Sequence, residues 1–400
     1  MTPDFDPDYP DIPYLEARAR QRIPRFAFEY LAGGCNSEVN LRNNTAKIRE
    51  VRLRPYYLRG TGAVSLRTSL FGHEYDAPFG IAPIGLQGLM WPRASEILAR
   101  TAFENNIPYI LSTVGTASIE QVAEITEGRA WFQLYNPVAD ELRADLLERA
   151  RRAGYEVLVV LCDTPSFGYR SREIRNGLSM PPRMTARNIA QILARPRWAM
   201  ATLAAGQPRF QTLLPYIPKG MNMHHLGLFM NKTFCGRLSE EKLKEIRSMW
   251  PGKLVLKGIV TAEDAEKAIR LGADGIIVSN HGGRQLDCGP ATIESLDTLA
   301  TNLRNRVTVM MDSGIRTGAD IANVMASGAE FCFLGRSFMY GVAALGNRGG
   351  EQVAALLSRQ LQQVMEQVGA ERVGDLPGHR DETTGLTRPV TDHNREGSGI

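Results

Sequence analysis

Between residues 79 and 335 the sequence repeats one unit eight times, a short apolar segment followed by a helical pattern. The apolar segments are rich in Val, Ile, Leu and Phe, which is typical of strands that are buried on both faces of a parallel sheet. Eight strands that alternate with helices predict an α/β fold, the (β/α)8 or TIM barrel. The predicted strands are Phe79 to Pro83, Tyr109 to Thr113, Trp131 to Tyr135, Val157 to Asp163, Leu254 to Gly258, Gly275 to Asn280, Val307 to Ser313 and Phe331 to Gly335.

A doubly wound open sheet is the alternative, but the count of eight and the lack of an early Gly-x-Gly-x-x-Gly turn favour the barrel. We expect one domain over residues 1–378 and an extended, polar tail over 379–400. Two N-terminal helices should precede the barrel, and Gly33-Gly34 should end the second. The predicted helices include Ile12 to Arg22, Pro24 to Leu31, Ala94 to Asn105, Asp140 to Ala153, Ala262 to Leu271, Gly318 to Ala326 and Gly350 to Gly369.

The connection between the fourth and fifth predicted strands, residues 177–236, is a long insertion for a barrel loop. No Asp or Glu occurs between Glu173 and Glu240, while nine Lys and Arg residues lie there. Apolar residues are mixed with these bases, and a helical pattern runs from Ala186 to Ala204. This combination predicts peripheral contact with an anionic membrane surface through residues 183–232. A subunit contact and an active-site lid are the alternatives, and the apolar content disfavours binding to nucleic acid.

The most informative segment begins at Ile276 with an apolar run and ends at Asp287. His281 follows the end of this predicted strand, and Arg284 comes next after two glycines. Strand ends of a barrel converge on one mouth, so both groups can act on one substrate. Imidazole titrates near neutral pH, and guanidinium pairs with a carboxylate. We expect the two glycines to let a ligand approach the backbone closely; a purely structural histidine is the alternative.

The segment Ser-Asn-His-Gly-Gly-Arg-Gln-Leu-Asp at residues 279–287 resembles the signature of the flavin-dependent 2-hydroxy-acid oxidising family. Members of this family include glycolate oxidase, bacterial L-lactate dehydrogenase and (S)-mandelate dehydrogenase. The resemblance extends from about Tyr14 to about Leu376. It implies FMN as cofactor and oxidation of a mandelate-like or lactate-like (S)-2-hydroxy acid to the 2-oxo acid. The five cysteines are scattered and show no metal-ligand spacing, so we expect no metal site.

The resemblance also implies roles for single residues. His281 would be the base, and Asp163 would orient it and stabilise its protonated form. The remaining substrate contacts would come from Arg170 and Arg284 for the carboxylate, Tyr30 for a carboxylate hydrogen bond, and Tyr135 near the substrate oxygen.

Lys257 would stabilise the negative charge of the reduced flavin, and a lysine within a buried strand favours function over packing. The phosphate should bind after the seventh and eighth strands, the usual position in such barrels. The implied FMN contacts are Pro83, Ile84, Gly85, Ser112, Gln133, Lys257, Ser279, Asp312, Gly314, Arg316, Gly335 and Arg336.

Two positions depart from the family pattern, because Ile84 and Leu161 stand where threonine is usual. Both changes make the flavin surroundings less polar. Gly85 is typical of the family's dehydrogenases and monooxygenase, whereas its oxidases have alanine. We therefore expect a dehydrogenase that passes electrons to a quinone or a carrier protein. An oxygen-using oxidase or monooxygenase, and a biosynthetic flavoenzyme for a larger hydroxylated intermediate, are the alternatives.

The N-terminal segment is acidic and lacks an apolar signal region, and the cysteine count is odd. We expect a cytoplasmic protein, peripheral on the inner face of the membrane if the insertion binds there. The resemblance implies a homotetramer.

Overall fold

A computed structural model describes residues 5–58, 62–178, 183–218, 229–230, 232–234 and 238–381. A short antiparallel hairpin, β1 (Thr68–Leu70) with β2 (His73–Tyr75), precedes the barrel. The barrel strands are β3 (Phe79–Ile81), β4 (Ile110–Ser112), β5 (Trp131–Leu134), β6 (Val157–Leu161), β7 (Lys253–Ile259), β8 (Gly275–Val278), β9 (Thr308–Asp312) and β10 (Phe331–Leu334).

These eight strands form one parallel sheet in the order β3-β10-β9-β8-β7-β6-β5-β4. Its two ends meet at a parallel bridge between Ile81 and Tyr109, where the Ile81 amide donates to the Pro108 carbonyl at 2.8 Å. The predicted TIM barrel is therefore confirmed. The β1–β2 hairpin lies outside the strands predicted from the sequence. Tyr75 packs against Phe331, with 5.8 Å between ring centroids, and closes the end of the barrel where the strands begin.

The helices are α1 (Ile12–Arg22), α2 (Arg25–Ala32), α3 (Val39–Ile48), α4 (Ala94–Glu104), α5 (Ile119–Thr126), α6 (Asp140–Arg152), α7 (Ser171–Arg175), α8 (Ala186–Leu193), α9 (Pro196–Ala205), α10 (Glu240–Met249), α11 (Ala262–Arg270), α12 (Thr292–Leu303), α13 (Gly318–Ala326), α14 (Arg336–Leu345) and α15 (Gly349–Val368). The seven helices predicted around the barrel and before it agree with these bounds to within one residue. Their buried apolar faces and the strands form the outer core.

The single helix expected from Ala186 to Ala204 was wrong, because α8 and α9 are separate. Pro196 lies at the start of α9 and has no N–H to continue the hydrogen bonds of α8. Arg195 before it has φ −129° and ψ 64°, outside the helical region, as expected for a residue that precedes proline. The break lets Trp198 turn inward, where its indole donates to the Met90 carbonyl at 3.0 Å.

Parts of the expected insertion and tail lie outside the described residues, namely 179–182, 219–228, 231, 235–237 and 382–400. The first residues assigned to the tail pack on the barrel: His379 is buried, and the two terminal guanidinium nitrogens of Arg380 donate to Asp297 at 2.7 Å each.

Candidate active site

A cavity of about 1300 Å³ opens at the carboxyl ends of the barrel strands. Most of the residues that the sequence analysis singled out line it, although they come from distant parts of the chain. They are Tyr30, Pro83, Ile84, Gly85, Gln133, Tyr135, Arg170, Lys257, His281, Arg284, Asp312, Gly314, Arg316, Gly335 and Arg336. Three others, Asp163, Ser112 and Ser279, are not part of the lining. Asp163 and Ser279 support residues that are, while Ser112 is buried and its contact with flavin stays a prediction.

His281 faces the cavity, and its Nδ1 lies 3.0 Å from a carboxylate oxygen of Asp163. Asp163 is ionised, so Nδ1 carries the proton and Nε2 is left as the basic nitrogen. Burial lowers the pKa of His281 below its ordinary value of 6.5, although Asp163 opposes the shift. Burial also acts to raise the pKa of Asp163, but the charges of His281 and Lys257 outweigh it and hold that pKa low. At neutral pH the pair is therefore a neutral imidazole beside a carboxylate.

The loop around His281 is held in an unusual conformation, since His281, Gly282 and Gly283 all have positive φ, between 58° and 71°. Gly282 lines the cavity, so the close approach of a ligand there stays a prediction, whereas Gly283 is not part of the lining. A side-chain carbon at Gly282 would lie 2.6 Å from Arg336, and one at Gly283 would lie 2.5 Å from the Leu41 backbone. The glycines are needed because the protein's own α3 and Arg336 approach there.

Lys257 reaches the cavity wall through an irregularity of β7. The pairing with β8 shifts register between Lys257 and Ile259, and Gly258 has φ 98°, where a side chain would collide with Asp163. The ammonium donates to Ser279 at 2.8 Å and lies 3.1 Å from Asp312. Burial acts to lower the pKa of Lys257, but Asp312 and Asp163 outweigh it and raise the pKa, so the group is a fixed buried cation.

Two guanidinium groups face the same cavity beside His281. Arg284 donates to the backbone carbonyls of Tyr30 and Gly33 at 2.8 and 2.9 Å, and its planar group lies over the Tyr30 ring. Arg170 donates to the Arg284 carbonyl at 3.3 Å. Backbone contacts hold these side chains before any substrate binds, as a site for a carboxylate requires.

Glu173 is the functional candidate that sequence reasoning missed. Its buried carboxylate lies 2.6 Å from Arg284 and 3.5 Å from Arg170, so one acid joins both arginines. The clue in the sequence was its position three residues after Arg170, because residues at that spacing share one face of a helix. By sequence alone, Glu173 marks only the edge of the acid-free segment.

The signature residues Asn280 and Asp287 have structural partners. Asn280 and Asn44 exchange two amide hydrogen bonds, at 2.7 and 2.8 Å. The Asp287 carboxylate accepts the backbone amides of Ser37 and Asn40 at 3.0 Å each, next to the first turn of α3. Both residues fix α3 against the loop that carries His281.

Two more basic side chains, Arg316 and Arg336, lie in the cavity wall. Burial lowers the pKa of Arg336 to about 9, and the charges of Arg316 and Arg284 add to the effect. The three nitrogens of the Arg336 guanidinium donate to the carbonyls of Leu31, Gly282 and Gly33 rather than to an acid. Positive charge that is buried without an acid suits a phosphate, and the buried Lys257 ammonium suits the ring of a reduced flavin. These residues fit FMN.

Comparison with known proteins identifies the chain's relatives. The model of the FMN-dependent dehydrogenase family matches residues 19–382. The L-lactate dehydrogenase of Pectobacterium atrosepticum is 37% identical over 361 residues, which cover 90% of this chain and 93% of that protein. The solved structure of the monotopic membrane protein (S)-mandelate dehydrogenase has a TM-score of 0.88 and 32% identity, covering 93% of this chain and 98% of the other. A mandelate oxidase structure has a TM-score of 0.77 and 31% identity, with coverages of 92% and 97%. The chain belongs to the FMN-dependent dehydrogenase family.

Proposed function

We propose that the chain uses FMN to oxidise a 2-hydroxy acid of S configuration to the 2-oxo acid. One observation carries the proposal: His281, which is held by Asp163, faces the same cavity as two preorganised guanidinium groups, those of Arg170 and Arg284. A base beside a carboxylate-binding pair is the arrangement that an alcohol next to a carboxylate needs.

Each residue has a defined task in this reaction. Arg170 and Arg284 bind the substrate carboxylate and so place C2 and its hydroxyl beside Nε2 of His281. Nε2 accepts a proton from the substrate, and Asp163 stabilises the resulting imidazolium through Nδ1–H. FMN, when bound, supplies the acceptor for the two electrons. The Lys257 ammonium lies in the cavity wall and would stabilise the negative charge of the reduced flavin.

The cavity also favours a bulky substrate over a small one. Beyond the catalytic residues its wall is mainly apolar, with Leu89, Val114, Phe210, Met230 and Phe234 in that part. The volume of about 1300 Å³ must hold FMN as well as the substrate, so the apolar wall, and not the volume, carries the size preference. We propose a mandelate-like substrate, with its phenyl or alkyl group against this apolar wall, in preference to lactate.

The test is an anaerobic flavin spectrum recorded on mixing with (S)-lactate, (S)-mandelate and (S)-2-hydroxyoctanoate. We expect the visible absorbance of the oxidised flavin to bleach, and to bleach fastest with the larger acids, because each buried methylene contributes about 0.8 kcal/mol. Bleaching by lactate alone would contradict the size preference, and no bleaching by any of the acids would contradict the function. Air or a quinone is then admitted, and we expect reoxidation to be faster with the quinone.

The insertion supports a proposal about location. Exposed apolar side chains cover α8 and α9, among them Leu193 at 74% exposure and Leu203 at 85%, next to basic residues. In the described part of the chain, no helix is long and apolar enough to cross a membrane. We propose that α8 and α9 rest on a membrane surface from the cytoplasmic side and that a quinone or a carrier protein there takes the electrons.

Deletion of the insertion from Arg183 to Lys232 should release the protein from anionic vesicles, and unchanged binding would contradict the membrane contact. We also propose a homotetramer, which a measurement of mass in solution tests directly.

A further inference from the structure

Three arginines come together outside the active site, around Trp91. The guanidinium carbon of Arg22 lies 3.8 Å from the centre of the Trp91 ring. Arg18 precedes Arg22 by one turn of α1, and Arg197 lies in the first turn of α9. The hydrogen bond from the Trp198 indole to the Met90 carbonyl fixes that turn beside Trp91. We call Arg18, Arg22 and Arg197 the arginine site.

This site has positive charge without a matching acid. Its neighbours Arg20 and Arg25 are paired with Glu16 and Glu29, but among the residues that the structure describes no ion pair includes a member of the arginine site. The Nε of Arg18 is buried and has no hydrogen-bond partner in the described ranges. Burial lowers the pKa of Arg22, and the charges of Arg18 and Arg197 lower it further. Three guanidinium groups that gather around one tryptophan without an acid indicate a site for an anion.

The surroundings indicate which anion binds. Met200 follows Arg197 by three positions, so the two lie on the same side of α9, and the Met200 side chain is 63% exposed. Leu203, one further turn along, is also exposed. Apolar side chains that protrude beside a cluster of cations match the boundary between lipid headgroups and acyl chains.

We propose that the arginine site binds the phosphate of an anionic lipid headgroup and so fixes the orientation of the protein on the membrane. The inference rests on the proposed membrane contact of α8 and α9, and it adds a specific headgroup site formed by α1 and the first turn of α9. A free phosphate ion has the same charged oxygens but no acyl chain, so the experiment separates the two sources.

The test compares the holoenzyme with the triple variant Arg18→Gln, Arg22→Gln, Arg197→Gln in co-sedimentation with vesicles. One set is phosphatidylcholine and the other contains phosphatidylglycerol. The control variant, Arg67→Gln, Arg270→Gln, Arg304→Gln, loses the same charge from exposed arginines near the opposite end of the barrel. At about 1 kcal/mol for each arginine, the triple variant should lose about 100-fold of its affinity for the anionic vesicles. The control should lose less than threefold.

Flavin content and activity show whether the triple variant is folded. If the triple variant is not folded, the single variant Arg197→Gln is used in its place, because the Arg197 side chain is exposed. This single change should lower the affinity for anionic vesicles about fivefold. Trp91 fluorescence gives a second readout, since Arg22 covers its ring, and Trp91→Phe identifies the signal.

Equal losses in the triple and control variants would overturn the headgroup site while leaving the membrane contact intact. Absence of vesicle binding by the unaltered protein would overturn both. A Trp91 response to inorganic phosphate without any preference for anionic vesicles would assign the site to a soluble anion and overturn the lipid proposal.

Discussion

Glu173 offers a sharp test of the site's electrostatics. It is the acid that joins Arg284, at 2.6 Å, to Arg170, at 3.5 Å, and it is buried with them. Replacement by Gln keeps the size of the side chain and removes its charge. Breaking a buried ion pair costs about 3–5 kcal/mol, and Gln recovers about 1 kcal/mol through a neutral hydrogen bond. We therefore expect Glu173→Gln to lower the free energy of unfolding by about 3 kcal/mol.

The same charge change should alter ligand binding in the opposite direction. With Glu173 present the two arginines and the acid sum to one positive charge, whereas the variant has two. Arg284 keeps its bonds to the Tyr30 and Gly33 carbonyls, so its position is maintained. A bound carboxylate then supplies the missing negative charge. We expect the 2-oxo acid product to raise the melting temperature of the variant more than that of the unaltered holoenzyme.

Thermal unfolding of both holoenzymes, with and without the product acid, measures both effects. The matched control is Glu266→Gln, which breaks the exposed pair with Arg306 and should cost less than about 1 kcal/mol. An unchanged melting temperature for Glu173→Gln, or equal stabilisation of the two proteins by product, would refute the reasoning.

Three further predictions follow from the geometry. Because the pKa of His281 is below 6.5 and the neutral imidazole is the base, kcat/KM should rise with pH through a midpoint below 6.5. Asp163→Asn removes an anion that raises this pKa, so the variant should have a lower midpoint and a kcat reduced by about 10²–10⁴. An unchanged midpoint in the variant would contradict the pairing of His281 with Asp163. Lys257→Met leaves the Asp312 carboxylate buried without its cation and should cost about 3–5 kcal/mol of stability, which the added change Asp312→Asn should partly restore in chemical denaturation. Gly85→Ala places a methyl group 3.0 Å from the Val114 side chain in the cavity wall and should lower kcat/KM for mandelate about tenfold but spare lactate in steady-state assays.

The sequence was most predictive where periodicity and chain direction determine the result. Eight apolar runs indicated eight strands, and polar residues at their ends met in one cavity because parallel strands end on the same side. Contacts between distant segments were beyond its reach. The residues around Glu173 in the sequence do not show that its carboxylate pairs with Arg284, over 100 residues later. Nor does the sequence show that the Leu41 backbone packs against Gly283. The β1–β2 hairpin is too short for its pattern to be distinguished from a loop.

The barrel's closure has a consequence for its motions. The strands β6 and β7 pair over five residues, whereas β3 and β4 are joined by the one bridge between Ile81 and Tyr109. Native-state hydrogen exchange should therefore find its earliest barrel opening along this seam. Pro83, Ile84 and Gly85 follow β3 directly and line the cavity. A ligand held there bridges the seam from inside, so cofactor release and breathing of the barrel should be one coupled event.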